Sequence, residues 1–184
     1  GGGISNIAGG SSGTSTLSIN SSTLTGNAAT TQSGGGIYNQ GTNSGSATVT
    51  VNSTILSGNS AQAGGGGIYN YGLFSGSATA NVDFSTLSGN SAGGGGAIHC
   101  FEQSSGITIL NVNSSTLSGN SAGSGGGIYA GFGGDGTTLL NVGFSTLTGN
   151  SATRIGGGIH IQGLSSSATT SVDSSIQQEI PLRL

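Results

Sequence analysis

The side chains able to do acid–base or metal chemistry in this chain are few. The carboxylates are Asp83, Glu102, Asp135, Asp173 and Glu179; the imidazoles are His99 and His160, and Cys100 is the single thiol. Glycoside hydrolysis needs two carboxyl groups within about 10 Å of each other. Asp83 and Asp173 fall in one column of the repeat set out below, but three coils apart, which is roughly 14 Å at the spacing of stacked strands. A lyase groove would also call for Lys or Arg, and the chain holds only Arg154 and Arg183. Two cations cannot neutralise a run of phosphates, so nucleic acid is excluded as a partner. Calcium suffers from the same scarcity of acids. The segment Gly131-Phe132-Gly133-Gly134-Asp135-Gly136 has the flavour of a calcium-binding nonapeptide but occurs once, without the repetition such sites need. His99 and His160 share a column with Tyr38, Tyr69 and Tyr129, two coils apart, which suits an exposed or half-exposed aromatic stripe better than a metal site. Cys100 reads as a quiet buried thiol. No catalytic residue, metal ligand or cofactor is therefore expected, and the chain is read as non-enzymatic.

The elements that position these residues come from a repeat. Of 184 residues 40 are Gly, with Ser, Thr and Asn next in abundance. That mixture would suggest low complexity, but the low charge and the strict periodicity of the glycines argue for order. Gly-Gly-Gly/Ala-Ile recurs with its isoleucine at Ile4, Ile37, Ile68, Ile98, Ile128 and Ile159, every 30–33 residues. Leu-Ser/Thr-Gly-Asn recurs with Leu24, Leu56, Leu87, Leu117 and Leu147, and with Asn27, Asn59, Asn90, Asn120 and Asn150. The drift in period falls after each Asn, in segments such as Ala28 to Ser33, which reads as a surface loop.

Each unit holds three short strands. The first is Gly-Gly-Gly-Ile-Tyr-Asn, as in Gly34 to Asn39. The second alternates, with Ala47, Val49 and Val51 on one face against Thr48, Thr50 and Asn52 on the other. The third sends its Leu inward between outward Thr and Ser. Nothing has helical periodicity, and no apolar run is long enough to span a membrane. Three strands in about 30 residues is one turn of a solenoid: an all-β, single-stranded parallel β-helix of about six coils and roughly 29 Å. One coil cannot offset its own ordering entropy, so stability must come from stacking. Residues 1–176 form the repeat domain and 177–184 a tail that caps the last coil or adds a strand to another subunit.

The Asn column is expected to turn inward and form an amide ladder. Thr23, Thr25, Thr86, Thr116, Thr146 and Thr148 would line an outward hydroxyl face. Phe84 and Phe144, in a column otherwise of Ser, read as packing adjustment. Tyr71, Phe74, Phe101 and Phe132 read as an apolar surface patch.

These motifs resemble two groups of proteins. Gly95-Gly96-Ala97-Ile98 and the Leu-Ser-Gly-Asn segments are similar to the GGA[ILV] and FxxN repeats of chlamydial-type polymorphic outer-membrane proteins, with Leu in place of Phe. The NSTxSGNSA and GGGIYN pattern resembles repeats of large secreted bacterial surface proteins. The resemblance covers Gly1 to about Ser175. It implies a right-handed parallel β-helix, export, and a surface, adhesive or structural role. The expectation is an extracellular building block of a surface fibre, stacked head to tail through Gly1 and Ile4 at one end and Ile180, Leu182 and Leu184 at the other, or an adhesin stalk. The alternatives are an ice- or glycan-binding solenoid using the Thr face, and a degenerate polysaccharide-active β-helix. No membrane insertion is expected.

Overall fold

A computed structural model of the chain describes residues 1–163, 167–173 and 176–179. It is all-β and every strand pairing is parallel, the architecture of a β-solenoid. The first sheet stacks Ile4–Ala8, Ile37–Thr42, Ile68–Leu73, Ile98–Gln103, Ile128–Phe132 and Ile159–Ile161 in that order. The second stacks Thr14–Asn20, Ser46–Asn52, Ser77–Asp83, Ile107–Asn113, Thr137–Gly143 and Ser167–Asp173. The third stacks Thr23–Thr25, Ile55–Ser57, Thr86–Ser88 and Thr116–Ser118 onto Thr146–Ile155, with Ile176–Glu179 beyond it. The backbone of the last coil thus runs on through Glu179, while Ile180, Leu182 and Leu184 lie outside the described residues.

The repeat sets the register. Ile37 pairs with Ile68, Ile68 with Ile98 and Ile98 with Ile128, and all four are fully buried. Leu56, Leu87, Leu117 and Leu147 stack in the same way at the third sheet. Between them, Val51, Val82, Val112 and Val142 complete one continuous core along the axis. A one-residue slip would turn every one of these side chains outward, so the apolar column locks the stacking.

Two expectations need correction. The glycines before each Ile are not strand: the strands begin at the Ile, and the glycines form an extended corner whose amides bond from coil to coil, Gly35 N–H to the Gly65 carbonyl at 3.0 Å and Gly36 N–H to the Gly66 carbonyl at 3.0 Å. A Cβ on Gly35 would lie 2.4 Å from the Gly66 and Ser60 carbonyl oxygens, so close backbone approach is what demands glycine there. The segment after each ladder Asn is likewise more than loop. Ala28–Ala29, Ser60–Ala61, Ser91–Gly94 and Ser121–Ser124 form a fourth stack that joins the third sheet through Thr146–Ile155. Variable length had masked it: where lengths differ the pairing shrinks to one or two residues, and against Thr146–Ile155 the register shifts after Ala122.

Candidate functional site

The ladder at the corner after the third sheet is made by Asn27, Asn59, Asn90, Asn120 and Asn150, the last four buried. The Asn59 backbone N–H and Nδ2 both donate to Asn90 Oδ1, at 2.9 and 3.0 Å, and Nδ2 also donates to the Leu24 carbonyl at 3.0 Å. Asn90 repeats the arrangement toward Asn120 and Leu56, and Asn120 toward Asn150 and Leu87. The Gly before each Asn turns the corner with φ of 61° at Gly58, Gly89 and Gly119. A Cβ on Gly58 or Gly119 would touch nothing, so the demand here is conformation, not space.

Two further ladders lie inside the coil. Asn6 Nδ2 donates to Asn39 Oδ1 at 2.7 Å and Asn39 Nδ2 to Asn70 Oδ1 at 2.8 Å, each amide also serving carbonyls of the second sheet. The column ends where Asn70 Nδ2 meets Cys100 Sγ at 4.0 Å. Burial pushes the Cys100 thiol up to about 12. The other ladder is of hydroxyls: Thr54 N–H donates to Ser85 Oγ, Ser85 N–H to Ser115 Oγ and Ser115 N–H to Ser145 Oγ. Sequence reasoning passed over both. Asn39 and Asn70 stand two residues after the inward Ile, and Ser85 and Ser115 two residues before the inward Leu, so strict alternation was the signal.

The Thr face is narrow. Its first four strands are three residues long, Thr23 and Thr25 are exposed, and Thr86, Thr116, Thr146 and Thr148 are half-exposed. Ile55, 46% exposed, interrupts the first column, and Ser57, Ser88 and Ser118 fill the second. Phe84 and Phe144 stand at the corner beside this face, 68% and 69% exposed. The packing role read for them is therefore wrong. Their φ of 50° is the left-handed conformation that the corner imposes on the whole column, with Ser21, Ser53 and Ser114 at 46–50°, and it aims the rings at solvent.

The acids are dispersed. Asp83 Oδ1 accepts from Asn113 Nδ2 at 3.2 Å. Asp135 Oδ1 accepts from the Ser105 N–H and hydroxyl, both at 2.9 Å, and the Ser105 hydroxyl foremost holds its carboxyl below the usual range. Glu102 is fully buried, with the Gly136 N–H donating to its Oε2 at 3.1 Å. Among the described residues no three His, Cys, Asp or Glu side chains converge on a metal-sized site. The side chains of Asp173 and Glu179 lie outside the described residues.

The outward side of the first sheet is different. Tyr38, Tyr69, His99, Tyr129 and His160 form an unbroken ring column, with centroid separations of 5.5, 5.2, 4.6 and 5.0 Å. The column is half-exposed, as expected, at Tyr38, Tyr129 and His160, but Tyr69 and His99 are buried. The strands before the glycine corners fold over it, and a Cβ on Gly64 would meet His99 Nδ1 at 2.0 Å. Neither nitrogen of His99 has a hydrogen-bond partner, and burial pulls its pKa down to about 3. Beside this column Tyr71 and Phe101 pack at 5.8 Å. Together Tyr38, Tyr69, Tyr71 and Phe101 wall a cleft of about 450 Å³. Its rim is polar, formed by Thr31, Gln32, Ser33 and Gln103. Burial raises the phenol pKa values of Tyr38 and Tyr71. Part of the surface patch expected from Tyr71 and Phe101 is thus a recess, while Phe74, 53% exposed, points away to solvent.

Residues 53–71, 84–100 and 114–131 match the Chlamydia polymorphic membrane protein repeat. Three segments of the chain are thus similar to that repeat. Each matched segment starts at the left-handed corner residue, runs through the third-sheet Leu and the ladder Asn, crosses the glycine corner and ends in the first-sheet strand. The match points to a surface- or outer-membrane-associated protein of β-solenoid fold. No curated protein and no solved structure matches the chain.

Proposed function

We propose that the chain is a non-enzymatic, surface-displayed rod: the stalk of an adhesin or a structural element of the outer surface. The observation that carries this reading is the continuity of its columns. The apolar column, the Asn27–Asn150 amide ladder and the hydroxyl ladder run from coil to coil along the axis, which stiffens the rod, while Asp83, Glu102 and Asp135 are scattered and separately engaged. The polymorphic-membrane-protein repeats support surface display. Incubation with common polysaccharides should release no reducing ends or unsaturated sugars; either product would overturn the non-enzymatic reading.

Head-to-tail stacking is the second reading. Successive coils pair in the same parallel register, so every coil carries the same edge of backbone donors and acceptors. A coil of the same geometry is the natural complement to such an edge, and contacts of this kind that do not close yield filaments. A formal net charge of −3 sets little repulsion against it. Sedimentation over a wide concentration range tests this: growth in steps of one chain supports stacking, and a constant monomer refutes it.

A further inference from the structure

We propose that the cleft on the outward side of the first sheet is a binding site for a neutral oligosaccharide. This goes beyond the rod reading, places the ligand away from the Thr face, and stands or falls separately from surface display.

In the Tyr71 column the preceding coil holds Gln40 and the following coil Phe101. Tyr71 therefore packs on Phe101 on one side, while its other side faces a coil with no ring over it. The same is true of Tyr38, which stacks on Tyr69 but has Ser5 in the coil before it. Both phenol rings, with Tyr69 and Phe101, line the one cleft. The face of an aromatic ring is electron-rich and apolar, and it suits the polarised C–H groups on the flat side of a pyranose.

The rim supplies the other half of sugar recognition. Gln32 offers an amide oxygen and two N–H donors, Gln103 two N–H donors beside an oxygen already bonded to Tyr71, and Thr31 a hydroxyl, while the buried Ser33 hydroxyl is engaged with Tyr69. Groups that both donate and accept match sugar hydroxyls, which do the same. No side chain lining the cleft is charged, so nothing there rewards a phosphate, a sulfate, a uronic acid or a cation. The volume of about 450 Å³ is that of a small-molecule site, with room for a short run of sugar units. The walls are already fixed. Tyr69 is held among Tyr38, Tyr71 and His99, and the Tyr71 hydroxyl donates to Gln103 Oε1 at 2.9 Å. Little rotamer entropy is lost on binding. Proline-rich peptides also favour aromatic grooves, but they dock between parallel aromatic ridges, whereas this cleft offers open faces bordered by amides.

The test titrates the full chain with cellohexaose, laminarihexaose, mannohexaose and chitohexaose. A heparin hexasaccharide and a proline decapeptide serve as comparison ligands. Tyrosine fluorescence and saturation-transfer NMR read the binding, and circular dichroism checks that each variant is folded. The expected result is saturable binding of at least one neutral sugar. Tyr71→Ala should weaken it at least about tenfold, with Thr116→Ala and Thr146→Ala leaving it unchanged. If Tyr71→Ala does not fold, Gln103→Ala on the exposed rim takes its place, with a severalfold loss expected. The proposal is overturned if no neutral sugar saturates at millimolar concentration, if only heparin or the peptide binds, if binding survives both cleft substitutions, or if it is the Thr substitutions that abolish it.

Discussion

Asn59 gives both its backbone N–H and its side-chain amide to one oxygen, Asn90 Oδ1, at 2.9 and 3.0 Å. Asn90 in turn spends its own two donors in the same way one coil on, at Asn120. A single side chain thus ties three coils: it satisfies a buried N–H and the Leu56 carbonyl in the coil before and donates to the coil after.

Asn90→Ala should therefore take from the buried Asn59 backbone N–H its acceptor and remove one bond each from the Asn59 side-chain amide, the Leu56 carbonyl and the Asn120 oxygen. The expected loss is roughly 1–3 kcal/mol, read as a lowered midpoint in urea. Asn27→Ala should cost less, because Asn27 is only half-buried. Equal effects at the two positions would contradict the ladder as a buried network.

Much of this was legible in the sequence and some was not. The Ile, Leu and Asn columns could be read because each recurs with nearly constant spacing and a constant residue type. The Asn6-Asn39-Asn70 ladder was hidden because Cys100 and Ala130 replace the amide halfway along. The cleft was hidden for another reason: Thr31, Gln32 and Ser33 belong to the segment whose length varies, and no periodicity predicts where that segment folds back. Phe84 and Phe144 were misread because alternation says which face a strand residue takes, but nothing about a left-handed corner.

His99 sets a pH dependence. Its ordinary value of 6.5 is pulled down to about 3 by burial, so between those values the unfolded chain binds a proton that the folded chain refuses. Stability contributed by neutral His99 is complete above about pH 6.5 and is lost as the pH falls toward 3, with a slope approaching about 1.4 kcal/mol per pH unit. His99→Phe should remove that share of the slope, measured as the difference between the two proteins in urea melts from pH 7 to pH 4. Parallel pH profiles would refute the assignment.

Phe84 pays for its corner without burying its ring. Asn tolerates the left-handed conformation better, so Phe84→Asn should raise stability by about 0.5–1 kcal/mol. A lower melting temperature would show that the phenyl ring makes a stabilising contact.

Cys100 is sealed at the end of the second ladder, and its thiol is protonated well above neutrality. In native protein at pH 8 it should react with an aromatic disulfide reagent only at the rate of unfolding, and rapidly in denaturant. Fast labelling of the native protein would place the thiol outside the core.

Immunogold labelling of intact cells, with antibodies raised against the exposed Thr23–Thr25 edge and the Phe84 and Phe144 corners, tests surface display most directly. A surface rod predicts dense labelling without permeabilisation, lost on brief treatment with external protease. Labelling that appears only after the envelope is opened would contradict it.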